Sequence, residues 1–457
     1  MNDMEKAFQY VDDHFDAMID DLKELCNHRS VAGDGEGLER TRQSLVKKLR
    51  QIGLTPVLNA VEDGNAVLSA RADGRTGYTV LFFNHYDVVE EGSRDLWKND
   101  PFTASVRDGS LYARGVSDNK GGLMCRIHAV EAILAATGNL PTGVKFLTEG
   151  DEETSSPSLV RFASEHPEKF AELTRADVAL AENGRNDASG QMQAMFGMRG
   201  TCGFDLYVTT AKEDVHSRMG AVVPNAAWRL VWALAALKSP DETVQIPGYC
   251  DGIPPMTQSD RDALAAIPYD EKGQKDSLGI RSFVGGAGGE ELKRRYYYEP
   301  SFCLCGLESG EMYNGVRGIV PHTAHAHVGV YLVGGQDPEE IQRALRKYLD
   351  EKGFSDIEVV RETPVYRAVR TPIDVPVRKN FEWAAAQVSD KPLLIMPTHT
   401  GAGPAEILRR GCPDIPIIGI GPANTNPNHH APNENLRLSD YKRAIKMIIA
   451  LLYSFER

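Results

Sequence analysis

Four strand-length apolar runs, at 79–83, 142–147, 176–180 and 415–420, each lead into a short polar segment rich in Asp, Glu or His. Such runs, mainly apolar and without strict polar alternation, suit strands buried on both faces. Residues 1–198 alternate them with helical patterns, beginning with an amphipathic helix over 6–27. The expected fold is therefore an α/β domain built on a mostly parallel sheet. In that architecture functional groups gather where strands end, so chemistry is expected in the polar segments.

The first segment is Asn84-His85-Tyr86-Asp87, where strand alternation points His85 and Asp87 the same way. An imidazole beside a carboxylate is a common metal-site unit, because the acid fixes the tautomer and raises the ligand's basicity. The second segment places Asp118 at a strand-to-helix junction, after Arg114-Gly115 and before Lys120-Gly121-Gly122. A carboxylate there either caps the helix or bridges two cations, and the remaining segments favour the bridge. In the third, Glu149, Asp151, Glu152 and Glu153 fall within five residues and repel one another unless solvent or cations neutralise them. Adjacent glutamates can divide the work, one binding metal and the other acting as general base on the substrate water. In the fourth segment, Glu182 follows the run 176–180 as a terminal carboxylate ligand. The last run leads to His429-His430-Ala431-Pro432-Asn433-Glu434, and since adjacent histidines do not readily share one ion, His430 is favoured.

In order, His85-x-Asp87, Trp97 with Asp100-Pro101-Phe102, Arg114-Gly115-x-x-Asp118-x-Lys120-Gly121, Glu152-Glu153 and His430-x-Pro432-x-Glu434 resemble a family of two-metal (zinc) metallopeptidases. That family contains aminoacylase, carnosinase, glutamate carboxypeptidase, acetylornithine deacetylase and succinyl-diaminopimelate desuccinylase. The match in order and spacing runs along essentially the whole chain. The resemblance implies a first metal held by His85, Asp118 and Glu182, and a second held by Asp118, Glu153 and His430. It further implies that Asp87 orients His85 and that Glu152 is the general base. Two cations about 3.5–4 Å apart lower the pKa of a shared water from about 15.7 towards roughly 7, so an amide-cleaving hydroxide exists at neutral pH. Glu152 would take its proton and return it to the leaving amine. Zinc is the expected metal, and manganese or cobalt also suit such donors.

From Gly197 onward the pattern changes to strand 201–209, helix 225–237, strands 301–306 and 324–333, helix 338–352 and strand 357–362. This order predicts a ferredoxin-like α+β domain with a long insertion at 239–300. The expected domains are 1–198 (catalytic, first part), 199–370 (lid and dimerisation) and 371–457 (catalytic, second part). Relatives use the inserted domain as a lid and dimer contact, which implies a homodimer. Val215-His216-Ser217 with Pro224-Asn225 resembles the lid motif whose histidine stabilises the oxyanion, often in the partner's site; the plain alternative is a solvent-exposed loop histidine. His322, His325 and His327 have no acid beside them in sequence and read as sheet-surface histidines. His399 lies in a Gly-rich loop over 397–404 that aligns with a substrate-contacting loop, making Thr400 and Gly401 candidate contacts; turn geometry explains the loop equally well.

The insertion and Cys305-Gly306-Leu307-Glu308-Ser309-Gly310 look most like the carnosinase-dipeptidase branch. Those relatives place an arginine, able to clamp a substrate carboxylate bidentately, just before a Leu-Val-Pro-Gly-Gln type turn. Here Tyr331 precedes Leu332-Val333-Gly334-Gly335-Gln336, and Gly318 replaces a threonine-like position. Asn84, Ala113, Glu90 and Ser155 are milder departures. Arg199, Arg218 and Arg317 are candidate replacements for the clamp. Three readings stay open: a dipeptidase, a deacylase or amidohydrolase of N-acyl amino acids or related amides, and a non-enzymatic scaffold, which the intact Glu152 disfavours.

The excess of Asp+Glu 64 over Lys+Arg 51, a net charge of −13, argues against nucleic acid or an anionic membrane as partner and leaves a small amide or dipeptide. Seven cysteines without a CxxC spacing read as reduced thiols. Residues 1–6 lack the start of a signal peptide, and no apolar stretch nears the roughly 20 residues of a membrane span. A cytoplasmic enzyme is expected.

Overall fold

The computed structural model describes residues 1–182, 184–312 and 317–457. They form two compact units, one of Met1–Gly197, Thr371–His399 and Gly403–Arg457, the other of Met198–Arg370 with Thr400–Ala402. Among the described residues no helix is long and apolar enough to cross a membrane.

The first unit is built on a sheet in the order Val57–Asn59, Val67–Ala72, Gly143–Glu149, Thr79–His85, Val178–Ala181, Ile417–Gly419, Met192–Met195, Leu394–Met396. The four strands from Gly143–Glu149 to Ile417–Gly419 are mutually parallel, and all end on the same side. Residues 80–85 are buried at every position. Successive side chains face opposite ways, so both faces of the sheet are covered. Helices Asp3–Asn27, Lys120–Thr137, Arg378–Ala386 and Leu438–Ser454 pack together, while Pro157–Glu165, Pro167–Thr174 and Leu408–Gly411 form a second group. The first helix starts earlier than its apolar pattern because Asn2 and Glu5 form a capping box. At the start of Lys120–Thr137 the capping position belongs to Asn119, which leaves the Asp118 carboxylate for other partners.

The second unit has strands Ser301–Ser309, Thr323–Leu332, Gly197–Thr209 and Glu358–Arg361 in that order, each antiparallel to its neighbour. Helices Ala226–Leu237 and Pro338–Glu351 bury Leu230, Ala233, Leu345 and Leu349 with Phe204, Leu206 and Val328 of the sheet. This is the ferredoxin-like arrangement. The insertion folds into helices Gln258–Ala266, Glu271–Leu278 and Gly289–Tyr298. Lys293 Nζ ties it together by donating to the carbonyls of Leu264 (2.7 Å) and Ile267 (3.2 Å).

Two expectations need correction. His399–Ala402 is a short strand within the segment read as a Gly-rich loop. The lid histidines do have acid partners: Asp205 Oδ1 lies 2.7 Å from His325 Nε2 and 3.1 Å from His327 Nδ1, and Asp214 Oδ1 lies 2.6 Å from His322 Nδ1. Antiparallel register sets Asp205 opposite His327, a pairing that local sequence cannot reveal.

Candidate active site

Each of the four parallel strands feeds one side of the same cluster. His85 ends its strand, opposite Glu149, and is buried. Its Nδ1 lies 3.1 Å from the Asp87 carbonyl and 3.3 Å from Asp87 Oδ1. Its Nε2 faces Asp118 Oδ1 at 3.2 Å and Glu182 Oε2 at 3.8 Å. Asp87 Oδ2 accepts from the Glu153 N–H at 2.9 Å, so one buried acid positions both the histidine and the acidic turn.

On the far side of Asp118, His430 Nε2 is 3.5 Å from Oδ2 and 3.1 Å from Glu153 Oε2. Ligand atoms of Asp118, Glu153 and His430 all lie within 4.8 Å of one another, as do those of His85, Glu152 and Glu153. His429 departs from its neighbour: its Nε2 is 2.9 Å from Ser117 Oγ, and its Nδ1 is 3.7 Å from Asp118 Oδ2. Asp118 thus turns one oxygen to each histidine.

Crowded acids disturb one another here. Desolvation pushes the Glu152 carboxyl well above the usual range; Glu182, Glu153 and Asp118 add to the effect and His85 opposes it. Glu182 is pushed up to about 7, by burial first, with His85 pulling down and Asp118 raising. Asp118 runs the other way: burial alone would raise it, but bonds from His430 and His85 hold it well down. Carboxylates and imidazoles in excess negative charge are the donor set that zinc or manganese accepts, so the residues present fit divalent cations.

Glu434 has a role that its place in a motif does not disclose. Fully buried, it accepts from Arg114 Nη1 (2.8 Å) and from the N–H groups of Gly115 (2.8 Å), Ser117 (2.9 Å) and Asp118 (3.0 Å). It therefore fixes the backbone that presents Asp118. Arg126, buried behind the strand ends, donates to the carbonyls of Phe83 (2.7 Å) and Ala181 (2.5 Å) and to Asn84 Oδ1. Asn84 Nδ2 donates in turn to Asn119, whose amide reaches the Glu182 carbonyl at 3.2 Å. Asn84 is thus a link in this chain. A charged residue inside the apolar helix was the available signal. A cavity of about 220 Å³ beside the acids is lined by Ser117, Asp118, Glu182, Arg185, His399 and His429 among others.

His85, Asp87, Asp118, Glu152, Glu153, Glu182 and His430 all belong to the first unit. The other candidates lie in the second. His216 is exposed, and its Nδ1 accepts from the Arg218 N–H at 3.2 Å. Arg199 is buried, and its Nη2 donates to the carbonyls of Tyr296 (2.8 Å) and Glu299 (2.7 Å). Arg317 lies 2.9 Å from the Glu311 carboxylate. Tyr331 is exposed on its strand. Thr400 and Gly401 are half-buried, with Thr400 Oγ1 3.5 Å from Tyr296 Oη.

Parallel strands converging on paired imidazoles and carboxylates, with a ferredoxin-like unit set into the chain, define a metal-dependent hydrolase. More narrowly, the chain belongs to peptidase family M20/M25/M40, whose model matches residues 81–454. It is 26% identical over 373 residues to the Beta-Ala-His dipeptidase of Homo sapiens, covering 76% of this chain and 71% of that protein. Its fold is similar to the crystal structure of an M20 family metallo-carboxypeptidase from Sulfolobus solfataricus, at TM-score 0.86 and 28% identity over 96% of this chain and 99% of the other. Human carnosine dipeptidase 1 shares the fold at TM-score 0.78 and 23% identity, over 99% and 98% of the two chains.

Proposed function

We propose that this metallopeptidase hydrolyses the peptide bond of a dipeptide, with one cation held by His85, Asp118 and Glu182 and a second by Asp118, Glu153 and His430. The observation that carries the reading is Asp118, which offers its two oxygens to His85 at 3.2 Å and His430 at 3.5 Å, each beside a further carboxylate. The dipeptidases among its relatives support the substrate class. Bound there, the ions would polarise the scissile carbonyl and acidify the attacking water. Glu152 takes the water proton and passes it to the leaving amine, a task suited to a carboxyl that burial pushes above the usual range. Asp87 holds His85 in place, and Glu434 holds the Asp118 backbone.

In the lid domain, 199–370, the Arg218 N–H occupies His216 Nδ1 and leaves the ring proton on Nε2. That N–H is the donor for the substrate oxyanion, supplied within one subunit or across a homodimer. Exposed Leu304 and Leu307 on the edge strand Ser301–Ser309, with exposed Trp228 and Trp232 on the neighbouring helix, support a dimer through this domain. Zinc is the proposed metal, with manganese or cobalt as substitutes. Seven free thiols, three of them exposed, support a cytoplasmic setting.

Chelator treatment followed by zinc or manganese restoration, with a mass-spectrometric screen of dipeptides beside N-acetyl and N-succinyl amino acids, tests the reading. Metal-restored release of amino acids from dipeptides is expected. Cleavage confined to blocked substrates would refute the dipeptidase assignment.

A further inference from the structure

The loss of the lid arginine at Tyr331 leaves open how a substrate carboxylate is neutralised, and Arg199 is committed to two backbone carbonyls. We infer that Arg185, on the first unit, is the residue that binds the substrate's carboxylate. The inference rests on the metallopeptidase reading and deepens it: the substrate class becomes one with a free carboxylate on the leaving-amine side.

Three observations carry it. Among the described residues, Arg185 is the one lysine or arginine lining the cavity of about 220 Å³ that is also lined by Asp118, Glu182, His399 and His429. It is half-buried, yet among the described residues its guanidinium has no ion pair or side-chain hydrogen bond. Its sequence neighbours are served by other arginines. Arg443 Nη2 donates to Asn186 Oδ1 at 3.2 Å, and Arg437 Nη2 donates to the Asp187 carbonyl at 2.8 Å. Among the described residues, the one lysine or arginine lining this cavity is thus left for an outside partner.

The chemistry then selects that partner. An anionic group entering a cavity walled by Asp118 and Glu182 needs a countercharge, and a guanidinium binds a carboxylate through two parallel N–H···O bonds. The cavity is smaller than the roughly 300–1,000 Å³ of sites for drug-sized ligands, which suits a single amino-acid residue. Arg185 would therefore act as a specificity residue in the catalytic unit, where the relatives' clamp belongs to the lid.

The test compares the metal-loaded wild type with R185Q and R185K on a dipeptide and the same dipeptide amidated at its C-terminus. The wild type is expected to favour the free acid through KM by roughly ten- to a hundred-fold, the range of a charge-assisted hydrogen bond. R185Q should erase the preference by raising KM for the acid well above its effect on the amide, at an unchanged melting temperature; R185K should retain part of it. Calorimetry with leucine and leucinamide reads the same contact without turnover, so absence of dipeptide cleavage would refute only the dipeptidase reading. An equal preference in R185Q, or equal binding of acid and amide by the wild type, overturns the assignment.

Discussion

Replacing Glu434 by Gln should damage both the stability of the first unit and its hold on metal. Glu434 Oε2 accepts from Arg114 and Gly115, and Oε1 from Ser117 and Asp118. Whichever way a glutamine amide turns, one oxygen becomes an NH₂ group and two N–H donors then face another donor. A hydrogen bond to a charged group contributes about 1.5–3 kcal/mol, so two lost bonds amount to about 3–6 kcal/mol. Breaking the buried Arg114–Glu434 pair, at about 3–5 kcal/mol, describes largely the same loss. Since the side chains match in volume, no cavity term is added. About 4 kcal/mol at about 2 °C per kcal/mol for a domain of this size gives a melting-temperature fall of about 8 °C, measurable by scanning calorimetry. Burial pushes the Glu434 carboxyl up and Arg114 opposes it. Four N–H donors around it favour the ionised form. Metal affinity should fall about 10- to 100-fold, because the Ser117 and Asp118 N–H groups set the position of the Asp118 carboxylate. A shift below about 2 °C with unchanged metal affinity would refute the reasoning, since it would mean that the carboxyl is already neutral or that these bonds do not restrain Asp118.

Glu152→Gln should retain both metal ions by elemental analysis and lose about 10²- to 10⁴-fold in kcat; a near-wild-type rate would remove Glu152 as the base. A pH effect is expected far from the site. Asp21 lies 2.6 Å from Lys48 Nζ and 3.4 Å from His128 Nε2. Burial alone would raise its carboxyl, but His128 and Lys48 hold it down at about 2. The folded value is the lower one, so this stabilisation is present above about pH 4 and lost as pH falls towards 2. Melting temperatures taken through that window should fall less steeply for Asp21→Asn than for the wild type, and parallel curves would contradict the assignment.

Sequence by itself determined the fold class and the order in which the metal-ligand types arrive, because both are local properties. A buried strand announces itself by apolar length, and a polar segment after it marks the strand end where an α/β sheet gathers its chemistry; His85, the 149–153 acids and Glu182 were legible for that reason. The strand-helix order of the second unit was equally local. Partnership was not. Glu434 meets Arg114 across 320 positions, Asp205 meets His325 across 120, and Arg126 joins the ends of two strands to Asn84 inside the core. The long insertion took its helices with Lys293 and Arg199 donating to its carbonyls. Which acids face which histidine, which arginine is already satisfied and which lines the cavity beside the acids depend on side chains that meet only after the chain closes, and only the tertiary structure decided them.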